Sequence, residues 1–270
     1  MTAPPEAEER RDAAIDPRLR ARRIAVRRDL GRHRLHRLAA LGIVVAVLAL
    51  VVAAALSPLL DVDAVEVAGT RKATADDVVV ASGVQRSDQL VLVDRQGVER
   101  RVERLPWVRT ASVSRSWPGT LEISVVEREA VAGFVGADGL LVLADAGGRI
   151  LDVAPAGEVD PTVVVITGPE SPGAPGDSVA GPARAPLEVA AALPADIADR
   201  VGEIAVEEDG TITLLLDPVG DAAGPRVVVG DTLDLKAKVG ALATVLARVD
   251  LTGVASIDLQ VPSAPALTRR

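Results

Sequence analysis

The chain has 270 residues, of which 49% are apolar, a formal net charge of −8 and no cysteine. Without cysteine it forms no disulfide and offers neither a thiolate nucleophile nor a cysteine-ligated metal site. Both histidines, His33 and His36, precede an apolar run, so the remainder of the chain has none for a Ser-His-Asp triad or an imidazole-bound metal. We therefore expect no metal and no other cofactor.

Residues 38–56 form an apolar run of nineteen residues without a charge. As a helix this run is about 28 Å long, which matches the hydrocarbon core of a bilayer, so it predicts a transmembrane anchor. A cleaved signal peptide is the alternative, because Ala53 and Ala55 form an A-x-A pattern. The polar arm of 37 residues before the run favours an uncleaved anchor.

The charges on the two sides of this run predict its orientation. Eleven arginines lie between residues 10 and 37, whereas the chain from Asp61 onward carries nineteen basic and thirty-two acidic residues. The positive-inside rule then places the N-terminus in the cytoplasm and the part from Asp61 outside, in a single pass of the cell membrane. The acidic outer part is a poor ligand for nucleic acid, and the arginine arm lacks aromatic residues, so we expect this arm to contact membrane lipid.

Residues 61–129 predict a small α+β domain in the order β-α-α-β-β. The first helix has Thr74 as its N-cap and ends at Gly83, and the second is capped by Asp94 and stopped by Pro106. The predicted strands are residues 62–68, 108–115 and 120–127.

The residues of this domain carry a resemblance to a known family. The segments VEVAGTRKATADDVVVASGV, LVLVD and LPWVRTASVSRSWPGTLEISVVERE resemble the POTRA domain of the FtsQ/DivIB cell-division family, in its actinobacterial form. The strongest matches are Pro106-Trp107-Val108, Trp117-Pro118 and Glu127-Arg128. The order of basic arm, membrane span, POTRA domain and β domain is also that of the family. One departure is Ala130, where the family usually has proline.

Residues 130–262 predict a β-rich domain, and residues 263–270 a C-terminal tail. The Pro- and Gly-rich residues 167–186 are expected to form an exposed loop. The predicted strands are residues 140–144, 162–166, 202–206, 211–216, 226–229 and 256–261, and the predicted helices are residues 189–193 and 233–249. With the cytoplasmic arm at 1–37 and the span and its exit at 38–60, the fold class is α+β.

No catalytic motif occurs in the chain, and adjacent acids such as Asp76-Asp77 or Glu207-Glu208 are typical of a solvated surface. We expect no enzyme activity. The resemblance implies a scaffold at the division septum that joins membrane division proteins of the FtsB and FtsL type and influences septal peptidoglycan synthesis and its synthases. The alternatives are a membrane-anchored cell-wall enzyme that uses carboxylates, and a POTRA-type transport module.

The aromatic side chains and the adjacent pair Glu127-Arg128 are predicted to have structural roles. Trp107 and Trp117, which with Phe134 are the three aromatic residues of the chain, are expected to anchor the small core or its edge, with direct partner contact as the alternative. Glu127 and Arg128, adjacent on a strand, are expected to point to opposite faces.

The last strand, at residues 256–261, is expected to lend its open edge to a partner segment, with Leu259, Val261 and Leu267 on or beside the binding surface. This assignment follows what the resemblance implies. Pro262 and Pro265 are expected to interrupt the sheet and to leave residues 266–268 as an exposed stub.

Overall fold

The computed structural model describes residues 36–53, 57, 60–136, 138–168, 172–218 and 223–269. The chain divides into two compact units, Met1–Leu60 and Asp61–Arg270. In the first unit, helix α1 (His36–Ala53) has a mean hydropathy of 2.3, and within the described ranges it is the one helix long and apolar enough to cross a membrane. The arginine arm up to residue 35 and the A-x-A position at Ala55 lie outside the described residues.

The second unit begins with a three-stranded sheet and two helices. Strand β1 (Ala64–Ala68) is parallel to β3 (Thr120–Glu127), and β2 (Val108–Ser116) is antiparallel to it, so the strand order is β1-β3-β2. Helices α2 (Ala75–Ser82) and α3 (Arg95–Val102) lie between β1 and β2 in the sequence. The predicted order β-α-α-β-β is therefore confirmed.

The helix caps are those that the sequence predicts. The Thr74 side chain accepts a hydrogen bond from the Asp77 N–H at 3.1 Å, and Asp94 accepts one from the Gly97 N–H at 3.0 Å. Gly83 ends α2 with a φ of 65°, a left-handed conformation that glycine adopts without steric cost. These local signals depend on few neighbours, which explains why the sequence alone predicts them.

The core of this first sheet is entirely aliphatic, and neither tryptophan belongs to it. Trp117 lies in the turn between β2 and β3 and is 55% exposed, so the prediction that it anchors the core is wrong. Trp107 is half-buried and packs instead on a cluster of the second sheet. The buried residues of the first core are Val62, Val78, Leu90, Val98, Val102, Val108, Val113, Leu121, Ile123 and Val125.

The second sheet contains nine described strands in the order β12-β11-β10-β9-β8-β7-β4-β5-β6. Its parallel pairs are β4 with β7, β7 with β8, and β10 with β11. The strands are β4 (Ala130–Val135), β5 (Leu140–Asp145), β6 (Ile150–Pro155), β7 (Val164–Thr167), β8 (Val201–Val206), β9 (Ile212–Leu216), β10 (Arg226–Gly230), β11 (Val254–Asp258) and β12 (Ala266–Arg269).

Helices α4 (Arg184–Ala192), α5 (Ala195–Ala198) and α6 (Leu235–Arg248) cover one face of this sheet. Phe134, only 1% exposed, lies in the core between the sheet and the helices. Helix α4 begins five residues earlier than predicted, inside the expected loop, because Pro186 falls in its first turn, where no intrahelical N–H bond is needed. Strands β4 and β6 and helix α5 are not among the predicted elements, and β12 lies in the predicted C-terminal tail.

A buried ion pair joins the two sheets. The Arg128 guanidinium donates to Asp145 Oδ2 at 2.7 Å and to the carbonyl of Val108 at 3.0 Å. Asp145 also accepts the N–H groups of Gly147 and Arg149 at 2.9 and 2.8 Å. Trp107 packs on the face of the second sheet that the helices do not cover. The hydrogen bonds and the apolar contact together fix the first sheet against the second.

Candidate interaction edges of the two sheets

The candidate site is a sheet edge, since an edge strand presents unpaired backbone N–H and C=O groups that can pair with another chain. The two sheets have four edge strands: β1 and β2 in the first sheet, and β6 and β12 in the second. The edge strands differ in how accessible their backbone N–H and C=O groups are, because other parts of the chain bond to some of these groups.

Strand β12 is an exposed edge of the second sheet. All four of its residues are exposed, and it pairs with β11 on one side, in antiparallel register with Ile257 opposite Leu267. Among the described residues no side chain accepts a hydrogen bond from its backbone. The backbone groups of β12 that point away from β11 are therefore available to a partner strand.

The prediction that residues 266–268 form a stub outside the sheet is wrong. Pro262 and Pro265 lie in the connection between β11 and β12, where the Ala264 N–H bonds to the carbonyl of Val261 at 3.0 Å in a tight turn. Proline is compatible with such a turn, which needs no N–H from it. The two prolines thus connect two paired strands and do not end the sheet.

The three residues predicted at the binding surface lie in different environments. Leu259 is 1% exposed, and its N–H bonds to the carbonyl of Val228, so its placement on the surface is wrong: it belongs to the core. Val261 is 58% exposed in the turn before β12, and Leu267 is 41% exposed on β12 itself. Because Leu267 is opposite the fully buried Ile257, it extends the apolar face of the sheet to its edge.

Strand β6 is covered over much of its length. The carbonyl of Asp177 accepts the Ile150 N–H at 2.9 Å, and the Ile150 carbonyl accepts the Gly176 N–H at 2.9 Å. The Val153 N–H is bonded to the Asp152 side chain, and Pro155 has no N–H to offer. This edge is closed by its own loop and side chains.

One member of each acidic pair has a structural role. Asp77 accepts a hydrogen bond from the Thr74 hydroxyl at 2.6 Å, and Glu207 forms an ion pair with Arg226 at 3.1 Å. Hydrogen bonds from Thr211 lower the pKa of Asp209 in the same groove, the opposite of what a general acid requires. Across the described part of the chain, no group of three or more His, Asp or Glu side chains is arranged to hold a metal ion.

Glu127 ties the end of β3 to the turn after β1. Its Oε1 atom accepts the backbone N–H groups of Arg71, Lys72 and Ala73 at 2.8–2.9 Å, and the residue is 7% exposed. Burial raises the pKa of this carboxyl, but the three N–H donors outweigh burial and hold the pKa below its ordinary value of 4.5. Arg128 turns away toward Asp145.

We expect Glu127→Gln to reveal this carboxylate as a pH-dependent contribution to stability. Since the folded pKa is lowered, the contribution is complete above the ordinary pKa and is lost as the pH falls through the folded value. At pH 7 the variant should be less stable by about 1–2 kcal/mol. This gap should narrow progressively as the pH falls below the ordinary pKa of 4.5, measured by urea unfolding of the Asp61–Arg270 unit. A gap that stays the same size from pH 7 down through this acidic range would contradict the assignment.

Comparison with known proteins agrees with this architecture. Residues 60–128 match the family model of the FtsQ-type POTRA domain, and residues 134–260 match that of the C-terminal region of the cell division protein FtsQ/DivIB. The fold and its edges thus define a POTRA-containing protein, and among its described residues one apolar helix is long enough to span a membrane.

Curated relatives identify the family. The chain is 33% identical over 211 residues to the cell division protein FtsQ of Streptomyces collinus, a match that covers 77% of each chain. It is 33% and 29% identical to the FtsQ proteins of Mycolicibacterium smegmatis and Mycobacteroides abscessus, over 78% of this chain but only 58% and 62% of theirs. The chain belongs to the FtsQ/DivIB cell-division family, as the resemblance in its sequence predicts.

Proposed function

We propose that this chain is a single-pass scaffold of the bacterial division machinery, with its N-terminus in the cytoplasm and its two sheets outside the membrane at the septum. Membership of the FtsQ/DivIB family and the apolar helix α1 support the setting. The arginines before the helix and the acids after it support the orientation. In this proposal the arginine arm contacts anionic lipid.

The observation that carries the binding function is the open edge at β12. A partner segment in extended conformation adds a strand there, and its affinity comes from main-chain hydrogen bonds. Leu267 and Val261 supply exposed apolar side chains beside the new strand, whereas the buried Leu259 holds β11 in the core beneath it. Membrane division proteins of the FtsB and FtsL type are the partners we propose, and through them the scaffold influences septal peptidoglycan synthases.

We propose a binding role without catalysis. The acids best placed for an enzyme are engaged in caps, turns and ion pairs, and the hydrogen-bonded Asp209 favours the charged form. The open groove beside Glu207 and Arg226 has a volume of about 550 Å³. Several of the side chains that line it are already engaged in the ion pair and hydrogen bonds described above.

The proposal predicts that Leu267→Pro abolishes partner capture. Proline removes the backbone donor of residue 267 in this four-residue strand and fixes its φ, so the edge no longer presents a regular ladder. Capture of division proteins from dividing cells by the anchored full chain, quantified by mass spectrometry, should fall at least about tenfold, as should capture by a chain lacking residues 263–270.

Leu267→Thr is the matched control, since it keeps the backbone donor and the β propensity but loses the apolar side chain. We expect this variant to retain part of the capture. Unchanged capture by both Leu267→Pro and the deletion would place the binding surface elsewhere, with the first sheet and its β1 edge as the next candidate.

A further inference from the structure

The longest edge of the first sheet is closed by two side chains of the neighbouring helix. Strand β2 has nine residues, against four in β12, so an open β2 would be the better template for strand addition. However, Glu103 Oε1 accepts the Ala111 N–H at 3.2 Å, and Glu99 Oε1 accepts the Val113 N–H at 3.0 Å.

The spacing of the two contacts follows from helix and strand geometry. Glu99 and Glu103 are four residues apart, which is about 6.0 Å along a helix. Ala111 and Val113 are two residues apart, about 6.8 Å along a strand, and their N–H groups point to the same side. A helix that runs beside β2 in the opposite direction therefore places one carboxylate at each outward N–H group.

The core holds α3 in this position. Val98 and Val102 are completely buried in the first core, and each directly precedes one of the two glutamates, which are half-buried at the strand edge. An arginine of β2 reinforces the arrangement, because Arg115 donates to the carbonyl of Val93, just before α3, at 2.7 Å. The carboxylates are thus fixed against β2 by packing.

We propose that Glu99 and Glu103 close the β2 edge against strand addition and that the partner they exclude is the same strand of a second copy of this chain. Two identical β2 strands can pair antiparallel across a twofold axis through their outward backbone groups. In the native chain those donors are already occupied, so the molecule keeps its POTRA sheet separate from that of its neighbours. This inference concerns the first sheet and does not depend on partner binding at β12.

The test uses the full chain in membranes and the absence of cysteine from the sequence. Ser112→Cys places a single thiol on the exposed middle of β2, where an antiparallel pair centred on residue 112 brings two Cβ atoms to about 4.5–5.5 Å. The reporter is combined with the native glutamates, with Glu99→Ala plus Glu103→Ala, and with Glu99→Gln plus Glu103→Gln. Disulfide-linked dimer is measured after mild oxidation, and sedimentation in density-matched detergent measures self-association in any register.

The alanine pair should increase the dimer about tenfold or more, because it frees both donors. The glutamine pair should behave like the native chain, since an amide oxygen still accepts the N–H bond. Hydrogen exchange of the Ala111 and Val113 amides should accelerate in the alanine pair before it dimerises. The proposal would be overturned by unchanged hydrogen exchange in the alanine variant, by no increase in its self-association, or by a glutamine variant that dimerises as much as the alanine variant. If the double alanine variant loses its native thermal transition, Glu99→Ala alone replaces it in the test.

Discussion

Replacing Asp145 by alanine should destabilise the Asp61–Arg270 unit by about 3–5 kcal/mol, because it leaves the half-buried Arg128 without its partner at the junction of the two sheets. The same change removes the acceptor for the N–H groups of Gly147 and Arg149. Urea unfolding measured by circular dichroism gives the loss. Asp145→Asn keeps an oxygen for the two N–H groups but replaces the acceptor of Arg128 by an NH2 donor, so it should cost about 2 kcal/mol or more.

Glu188→Ala is the control for a surface ion pair. Arg184 and Glu188 are 3.1 Å apart but largely exposed, so breaking this pair should change the free energy of unfolding by no more than about 0.5 kcal/mol. If Asp145→Ala costs as little as this control, then Arg128 and Asp145 do not hold the two sheets together and apolar packing at Trp107 must do so.

The three aromatic residues should fall into a clear order of importance. Phe134→Ala removes a fully buried ring and should cost about 3–5 kcal/mol. Trp107→Ala, at the half-buried contact with Leu141, Leu143 and Leu151, should cost about 2–3 kcal/mol. Trp117→Ala should cost no more than about 0.5 kcal/mol, because its side chain is mostly in solvent.

Thermal and urea unfolding of the three variants, side by side, measure this order. Trp107→Phe is the conservative control and should recover most of the loss, since a smaller ring still fills the contact. A loss from Trp117→Ala as large as that from Phe134→Ala would mean that the turn between β2 and β3 packs against another part of the chain.

The sequence predicts the first sheet and its helices well because their signals are local. Thr74, Gly83 and Asp94 act through groups within three residues of themselves. The exposure of Trp117 depends on which surface lies opposite the turn, and residue type does not reveal it. Strand β4 has the sequence AVAGFV, whose small residues and central glycine give no clear alternation, and only the neighbouring β5 and β7 make it a strand.

At the candidate edges, too, the structure depends on contacts between distant segments that the sequence alone does not reveal. Pro262 and Pro265 are strong breaking signals, yet here they shape a turn that returns the chain to the sheet as β12. The spacing of Glu99 and Glu103 is visible in the sequence, but their function depends on α3 running alongside β2. The surface prediction for Leu259 rests on its position in the predicted last strand, 256–261, and the sequence does not reveal that helices from other segments bury it.

The position of β12 in the chain has a consequence for the timing of assembly. It pairs with β11, which reaches the sheet through helix α6, and every other described strand precedes it in the sequence. During synthesis the anchor and the first sheet are therefore complete before this edge exists. If partners bind at β12 as proposed, a nascent or truncated molecule can occupy the membrane without recruiting them, so recruitment is confined to chains whose second sheet is finished.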